Sequence, residues 1–350
     1  MKETIHLMPV EDPSAWRNAD LRDDQSWIYH LTSENIVEIE AALKSAMRQR
    51  LEFQQIEKED FALPSMEPLF ERLRDSLLRG RGVALVKGLP VDRYSQEESS
   101  MIFWGIGTHL GIGVTQNAAA ELLGHVYDRG LNYSQRTVRA YQVRAELSLH
   151  CDNSDLVGLL CLRQAKSGGR TLLTSSMSVY NEILRTHPEH LSVLFSGFVY
   201  DRKGEHGPDE LAFSEKIPVF STTDGVLSCR YARSYIEHAP KSTHVALSPT
   251  EREVLDYFDA VASREDLRFE FAMEPGDMQF LNNYTVLHGR TEYEDHPEPE
   301  QKRYMLRLWL EVPEVRDIES DIVRYGFTRF GKHGLSAREW LASQRQTVPS

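Results

Sequence analysis

"RYMLRLWLEV", residues 303–312, alternates basic or bulky side chains with aliphatic ones. Read as a strand, it puts Arg303, Met305, Arg307 and Trp309 on one face and Tyr304, Leu306, Leu308 and Leu310 on the other. Two arginines then share one face of an apolar strand. Buried arginine is rare without a partner, because an unpaired charge taken out of water costs roughly several kcal/mol or more. Either acidic side chains of the chain neutralise the pair, or anionic ligands do. The planar guanidinium fork suits a carboxylate held by two parallel hydrogen bonds.

Around this strand the sequence has a consistent texture. Short apolar segments ("LVGLLCL", "IPVF", "GVLSCRY", "LRFEFAM", "DMQFLNN") are separated by Gly, Pro and Asp turns, which points to an antiparallel β core with helices packed outside. Ile36, Ile39, Leu43 and Met47 recur at helical spacing over Asn35–Met47, as do Met66, Leu69, Phe70, Leu73 and Leu77 behind a Ser65 cap. "VALVKGLP" reads as a buried strand. Capping boxes at Ser95/Glu98 and at Ser248-Pro249-Thr250-Glu251 start two further helices. "DRKGEHGPDELAFSEK", 201–216, is too polar and broken for a core element and reads as a long surface loop, placed to serve as a lid. "SAREWLASQRQ" reads as a short terminal helix. There is no internal repeat and no composition break, so the 350 residues are expected to form a single domain: a helical region 1–80, a core of about 80–312 and a tail 313–350.

A second stretch carries chemistry. In "LSLHCDNSD", 147–155, an extended backbone would project His150 and Asp152 to one side, making a bidentate pair suited to Fe(II), Mn(II) or Zn(II). Its apolar lead-in reads as a strand packed on both faces. Two histidines and one carboxylate make a facial triad, so a third ligand is needed. Among 13 histidines, His288 has the best setting, after the turn "EPGD" and the strand "MQFLNN".

Composition narrows the partners. The net charge of -13 argues against non-specific binding to a nucleic-acid backbone, and no apolar run is long enough to span a bilayer. Three cysteines without a CxxC pair suggest reduced thiols, and the opening "MKETIHLMPVEDPSAW" lacks the basic and apolar regions of a secretory signal. A cytoplasmic protein acting on a small, anionic molecule is the expectation, with a homodimer the base-rate assembly.

In order along the chain, "HCD" at 150–152, "SGGRTLL" at 167–173, "NNYTVLHGR" with His288 and "RYMLR" at 303–307 resemble the taurine dioxygenase and 2,4-dichlorophenoxyacetate dioxygenase superfamily. These are iron(II)- and 2-oxoglutarate-dependent oxygenases of clavaminate synthase-like fold. The resemblance spans about 80–312. It implies a mainly β distorted double-stranded β-helix, a jelly roll with outer α-helices. It implies His150, Asp152 and His288 as iron ligands, and Arg303 with Thr171 as the grip on the distal carboxylate of 2-oxoglutarate. Arg307 would hold an anionic group of the substrate. The implied reaction consumes O2 and 2-oxoglutarate, releases succinate and CO2, and oxidises a small carboxylate-bearing metabolite such as an amino acid. Hydroxylation is its usual outcome, with desaturation or ring closure as variants.

Arg230, Arg233, Gln116, Asn117 and His125 are further candidates for the pocket, although ordinary surface or scaffold roles fit each of them better. Asp155 reads as a turn cap in preference to a partner of a metal ligand, and Cys151 as a packed residue facing away from the metal. Two other classes compete. A zinc-dependent hydrolase would use the same three ligands to activate water but leave the paired arginines unexplained. A non-catalytic binding module of the same fold would need a damaged triad or arginine, and neither is visible.

Overall fold

The 303–312 segment forms a strand over Tyr304–Glu311 within the larger of the two main sheets, which three two-stranded ones accompany among the described residues. The computed structural model describes residues 7–117, 119–131, 138–206, 211–312 and 336–346. In strand order the larger sheet is Ile28–His30, Val83–Lys87, Met278–Asn282, Leu156–Arg163, Tyr304–Glu311 and Ile112–Gly113, and Leu123–Val126 also pairs with Tyr304–Glu311. Only the pairing of Ile28–His30 with Val83–Lys87 is parallel within it. The smaller sheet runs Phe269–Phe271, Thr171–Ser175, Val286–Arg290 and Leu147–His150, antiparallel throughout.

The alternation of the arginine strand sorts its side chains as expected. Leu306, Leu308 and Leu310 join Ala84, Val86, Leu160 and Phe280 in an outer core under the helices Ser33–Arg48, Glu67–Leu78 and Gln96–Thr108. Trp309 turns inward and packs with Val83, Leu85, Val157, Leu173, Leu281 and Val286 between the sheets. A third cluster backs the smaller sheet with Leu149, Leu172 and Leu287 against the helices Ser176–Thr186, Pro188–Ser196 and Pro249–Ala262. The fold is therefore a mainly β, jelly-roll sandwich with helices on its outer faces.

Both capping boxes form: the Ser95 hydroxyl accepts from Glu98 N, and that of Ser248 from Glu251 N. The terminal helix is present over Ala337–Gln346. Other expectations change. A helix Asn18–Asp23 and the short strand Ile28–His30 precede the first expected helix. Ser65 is not a cap, because its hydroxyl donates to Glu38 Oε2 (2.6 Å) and the chain makes a 3-10 turn over Pro64–Met66 before the next helix. The ligand strand ends at His150, so Asp152 lies just beyond it, and this is an edge strand, only partly buried. Residues 201–216 are not simply a surface loop: Phe198–Asp201 pairs with Phe213–Ile217 as a hairpin, and Lys203 and Glu205 are buried. Positions 207–210 of that stretch and 313–335 of the tail lie outside the described residues.

Candidate active site

His288 and His150 face each other as a cross-strand pair on the smaller sheet, with ring centroids 4.4 Å apart. Two residues beyond His150, the Asp152 carboxylate lies 3.7 Å from Nε2 of each imidazole. One ligand atom from each of the three falls within 4.8 Å of the others, close enough to hold one metal ion. Sequence-distant ligands meet here because strand pairing sets their register. Close approach of the two ligand strands also requires Gly289, where a Cβ would stand 2.6 Å from the Leu147 carbonyl oxygen.

Two of the three candidate ligands are held from behind, whereas His288 Nδ1 has no hydrogen-bond partner among the described residues. His150 Nδ1 lies 2.9 Å from the Ser148 carbonyl oxygen; a carbonyl only accepts, so Nδ1 carries the proton and Nε2 presents its lone pair. Asp152 is held by its backbone and its side chain. Its N–H donates to Asn283 Oδ1 (2.9 Å), its carbonyl accepts from Arg230, and its carboxylate accepts from Trp309 Nε1 (2.9 Å) and from Arg307 Nη1 (3.2 and 3.3 Å). Burial alone would raise this carboxyl, but the Arg307 guanidinium and the two histidines override it and hold it well below the usual range. Burial, followed by the neighbouring His150, lowers His288, which favours the neutral imidazole that a metal binds.

Two cavities meet at this cluster. Tyr141, Leu147, His150, Asp152 and Arg307 border both. The smaller, about 50 Å³, lies between the sheets and is lined also by Thr171, Gln279, His288 and Arg303. Arg303 is 5% exposed; its Nη2 meets Met305 Sδ, whereas Nη1 has no hydrogen-bond partner among the described residues. The turn at Gly168 and Gly169 seats this arginine. Both glycines have positive φ, and a Cβ on Gly169 would approach Arg303 Nε to 3.3 Å.

The larger cavity, about 220 Å³, opens on the other side and is lined by Gln116, Asn117, Arg139, Lys203, Glu205, Arg233, Tyr235, Glu237 and Trp309. Arg139 pairs with Glu205 at 2.5 Å, and both Arg139 and Lys203 lie over the Tyr235 ring. Burial, and then Arg139, lowers Lys203 to about 8.

The other sequence candidates divide cleanly. Gln116 bridges the site, its Oε1 accepting from Arg307 Nε (2.8 Å) and its Nε2 donating to the Arg307 carbonyl (2.8 Å). Arg233 reaches the cavity wall but is bound to Glu237, Asp256 and Asp259. Asn117 also lines the cavity while capping its own loop through Ala119 and Glu121. His125 bonds to the Tyr304 hydroxyl (2.7 Å) on the outer side. Asp155 accepts from Tyr284 Oη and Val312 N, closing the turn below the site. Cys151 donates its N–H to the Tyr231 carbonyl, and its thiol faces Cys229. Sequence reasoning missed Gln279, Arg139, Lys203, Glu205, Tyr141 and Arg290. Arg290 carries a visible signal, a charge directly after "HG", and its guanidinium pins the carbonyls of Val143, Arg144 and Ala145 beneath the cavity.

The family model described as "Taurine catabolism dioxygenase TauD, TfdA family" matches residues 48–309. The chain belongs to this family. It is an iron(II)- and 2-oxoglutarate-dependent dioxygenase, and the hydrolase and passive-module alternatives fall away. Among TauD/TfdA relatives, FR-33289 synthase of Streptomyces rubellomurinus is 30% identical over 318 residues, covering 90% of this chain and 94% of that protein. A taurine hydroxylase-like protein of Stachybotrys chartarum is 29% identical over 311 residues, covering 85% and 79%. An asparagine oxygenase, solved with Fe(II), 3-hydroxyasparagine and succinate, shares the fold at a TM-score of 0.62 and 16% identity over 81% of this chain and 93% of that one. The non-heme iron oxygenase OrfP, solved with Fe, succinate and (3S)-hydroxy-L-Arg, does so at 0.59 and 14%, over 81% and 94%. Among the described residues no helix is long and apolar enough to cross a membrane.

Proposed function

We propose that His150, Asp152 and His288 hold the iron, that Arg303 and Thr171 hold the distal carboxylate of 2-oxoglutarate in the small cavity, and that the large cavity takes the substrate. The observation that carries this reading is Arg303 Nη1, a buried cationic donor without a hydrogen-bond partner among the described residues, in a cavity that ends at the triad. Such a group is costly unless an anion completes it. The donor set fits the cofactor: two imidazoles and a carboxylate on one side leave positions for a chelating ligand. When bound, iron and 2-oxoglutarate supply the oxidising chemistry, with O2 consumed and succinate and CO2 released.

The chain's own residues orient and select. Arg307, stacked between Tyr141 (4.7 Å) and Trp309 (4.8 Å), keeps Asp152 ionised and presents a cation at the border of both cavities. Lys203 and Arg139 offer positive charge and Glu205 negative charge at the far wall of the large cavity, an arrangement suited to a small zwitterion. We therefore read the substrate as a carboxylate-bearing metabolite, an amino acid or near relative, and the usual product as its hydroxylated form. The solved asparagine and arginine oxygenation products of the structural neighbours support that class. The whole chain is proposed to act as one catalytic unit.

The test is a screen of amino acids and small acids for substrate-dependent succinate release, with product masses measured. At least one such acid should give succinate in step with a product heavier by one oxygen atom. Uncoupled succinate alone across the amino acids and small acids would overturn the substrate class.

A further inference from the structure

Gln279 occupies the inner face of the Met278–Asn282 strand, paired with Leu85 on one side and Leu159 on the other. Leu281, the next residue on that face, belongs to the apolar core between the sheets. Gln279 is 1% exposed, and neither its Nε2 nor its Oε1 has a hydrogen-bond partner among the described residues. A buried amide left unmet is destabilising, and leucine would serve folding better at this point.

The same side chain lines the small cavity with Thr171, His288 and Arg303, whose Nη1 is also unmet. Two buried donors, one on the Met278–Asn282 strand and one just before the Tyr304–Glu311 strand, line one cavity and match a ligand rich in oxygen acceptors. We infer that Gln279 is a cosubstrate-binding residue, its Nε2 donating to a carboxylate oxygen of 2-oxoglutarate beside Arg303. Its Oε1, which an anion cannot satisfy, accepts from a water molecule held with the ligand. This rests on the reading of the small cavity as the 2-oxoglutarate site.

The experiment titrates 2-oxoglutarate calorimetrically into the full chain loaded with Mn(II) in place of iron, and measures thermal unfolding of the ligand-free protein. Gln279→Leu should weaken 2-oxoglutarate binding by about ten- to hundredfold, the value of one hydrogen bond to a charged group. Its melting temperature should equal or exceed that of the unsubstituted protein, since the orphaned amide is gone. Gln279→Glu, which sets a carboxylate against the anion, should bind more weakly still. Unchanged affinity in Gln279→Leu would overturn the inference, as would weakened affinity together with a lowered melting temperature, which would mark Gln279 as a scaffold amide. If the unsubstituted protein fails to bind 2-oxoglutarate at all, it is the underlying assignment of the cavity that falls.

Discussion

The two cavities flanking Asp152 are made of different material. The small one is walled by strands of both sheets, with Leu159, Thr171, Gln279, His288 and Met305 contributing inward side chains. The large one takes much of its wall from connecting segments and from the first turns of the Arg233–Thr243 helix, which bring Arg139, Lys203, Glu205, Tyr235 and Glu237. Strands fix side-chain direction by their period of two, so one cavity holds a rigid set of groups, as its proposed role for an invariant small acid requires. Connecting segments allow variation, which is where relatives with different substrates would differ.

Breaking the shared boundary should have the largest effect. Asp152→Ala or His150→Ala is expected to abolish turnover with loss of bound iron, measured by succinate release and metal content; normal iron and full activity in either would sink the ligand assignment. Next comes the strand-built wall. Arg303→Ala should raise the KM for 2-oxoglutarate by about a hundredfold, as for removal of one partner of a buried charge pair, and leave the substrate KM nearly unchanged. The opposite pattern would mean that the two cavities had been assigned the wrong way round.

The other wall should respond more gently. Lys203→Met is expected to raise the substrate KM by roughly tenfold without altering the 2-oxoglutarate requirement. Its pH dependence sharpens the contrast. Burial and Arg139 lower Lys203 to about 8, with Lys241 acting the same way and Asp201 opposing, so an anionic substrate should bind fully below that pH and lose affinity as pH rises through it. The unfolded chain holds this proton more tightly, so over the rise from about 8 toward the ordinary 10.5 the ligand-free fold should gain stability. Lys203→Met should flatten both profiles, and a substrate KM still climbing above pH 8 in that variant would remove Lys203 from recognition. Smallest of all, Ser248→Ala should cost about 1 kcal/mol of stability through its lost cap and shift neither KM, as expected for a helix start that lines neither cavity.

The same division explains what could be read from the sequence. The convergence of His150, Asp152, His288, Thr171 and Arg303 on one cavity was legible because each sits in or beside a strand and they follow one another in order along the chain. Gln279 was not singled out: one of four polar residues within "DMQFLNN" resembles the others, and its proposed role depends on partners that it lacks among the described residues. Lys203 and Glu205 were hidden by composition, since a polar stretch broken by glycines suggested solvent, whereas hairpin pairing around it turns both inward. The same-face position of Arg303 and Arg307 was visible, but not their different surroundings. Arg303 faces Met305, the Tyr293 ring and the small cavity; Arg307 lies against Asp152 and Gln116.

On the proposed assignment of the cavities, that placement of Arg307 would make the two ligands thermodynamic partners. A cation bordering both cavities, tied to a metal ligand and clamped between two aromatic rings, cannot be moved by one guest without changing what the other meets. Any factor by which bound 2-oxoglutarate tightens or loosens the substrate must then be returned in equal measure by the substrate to 2-oxoglutarate.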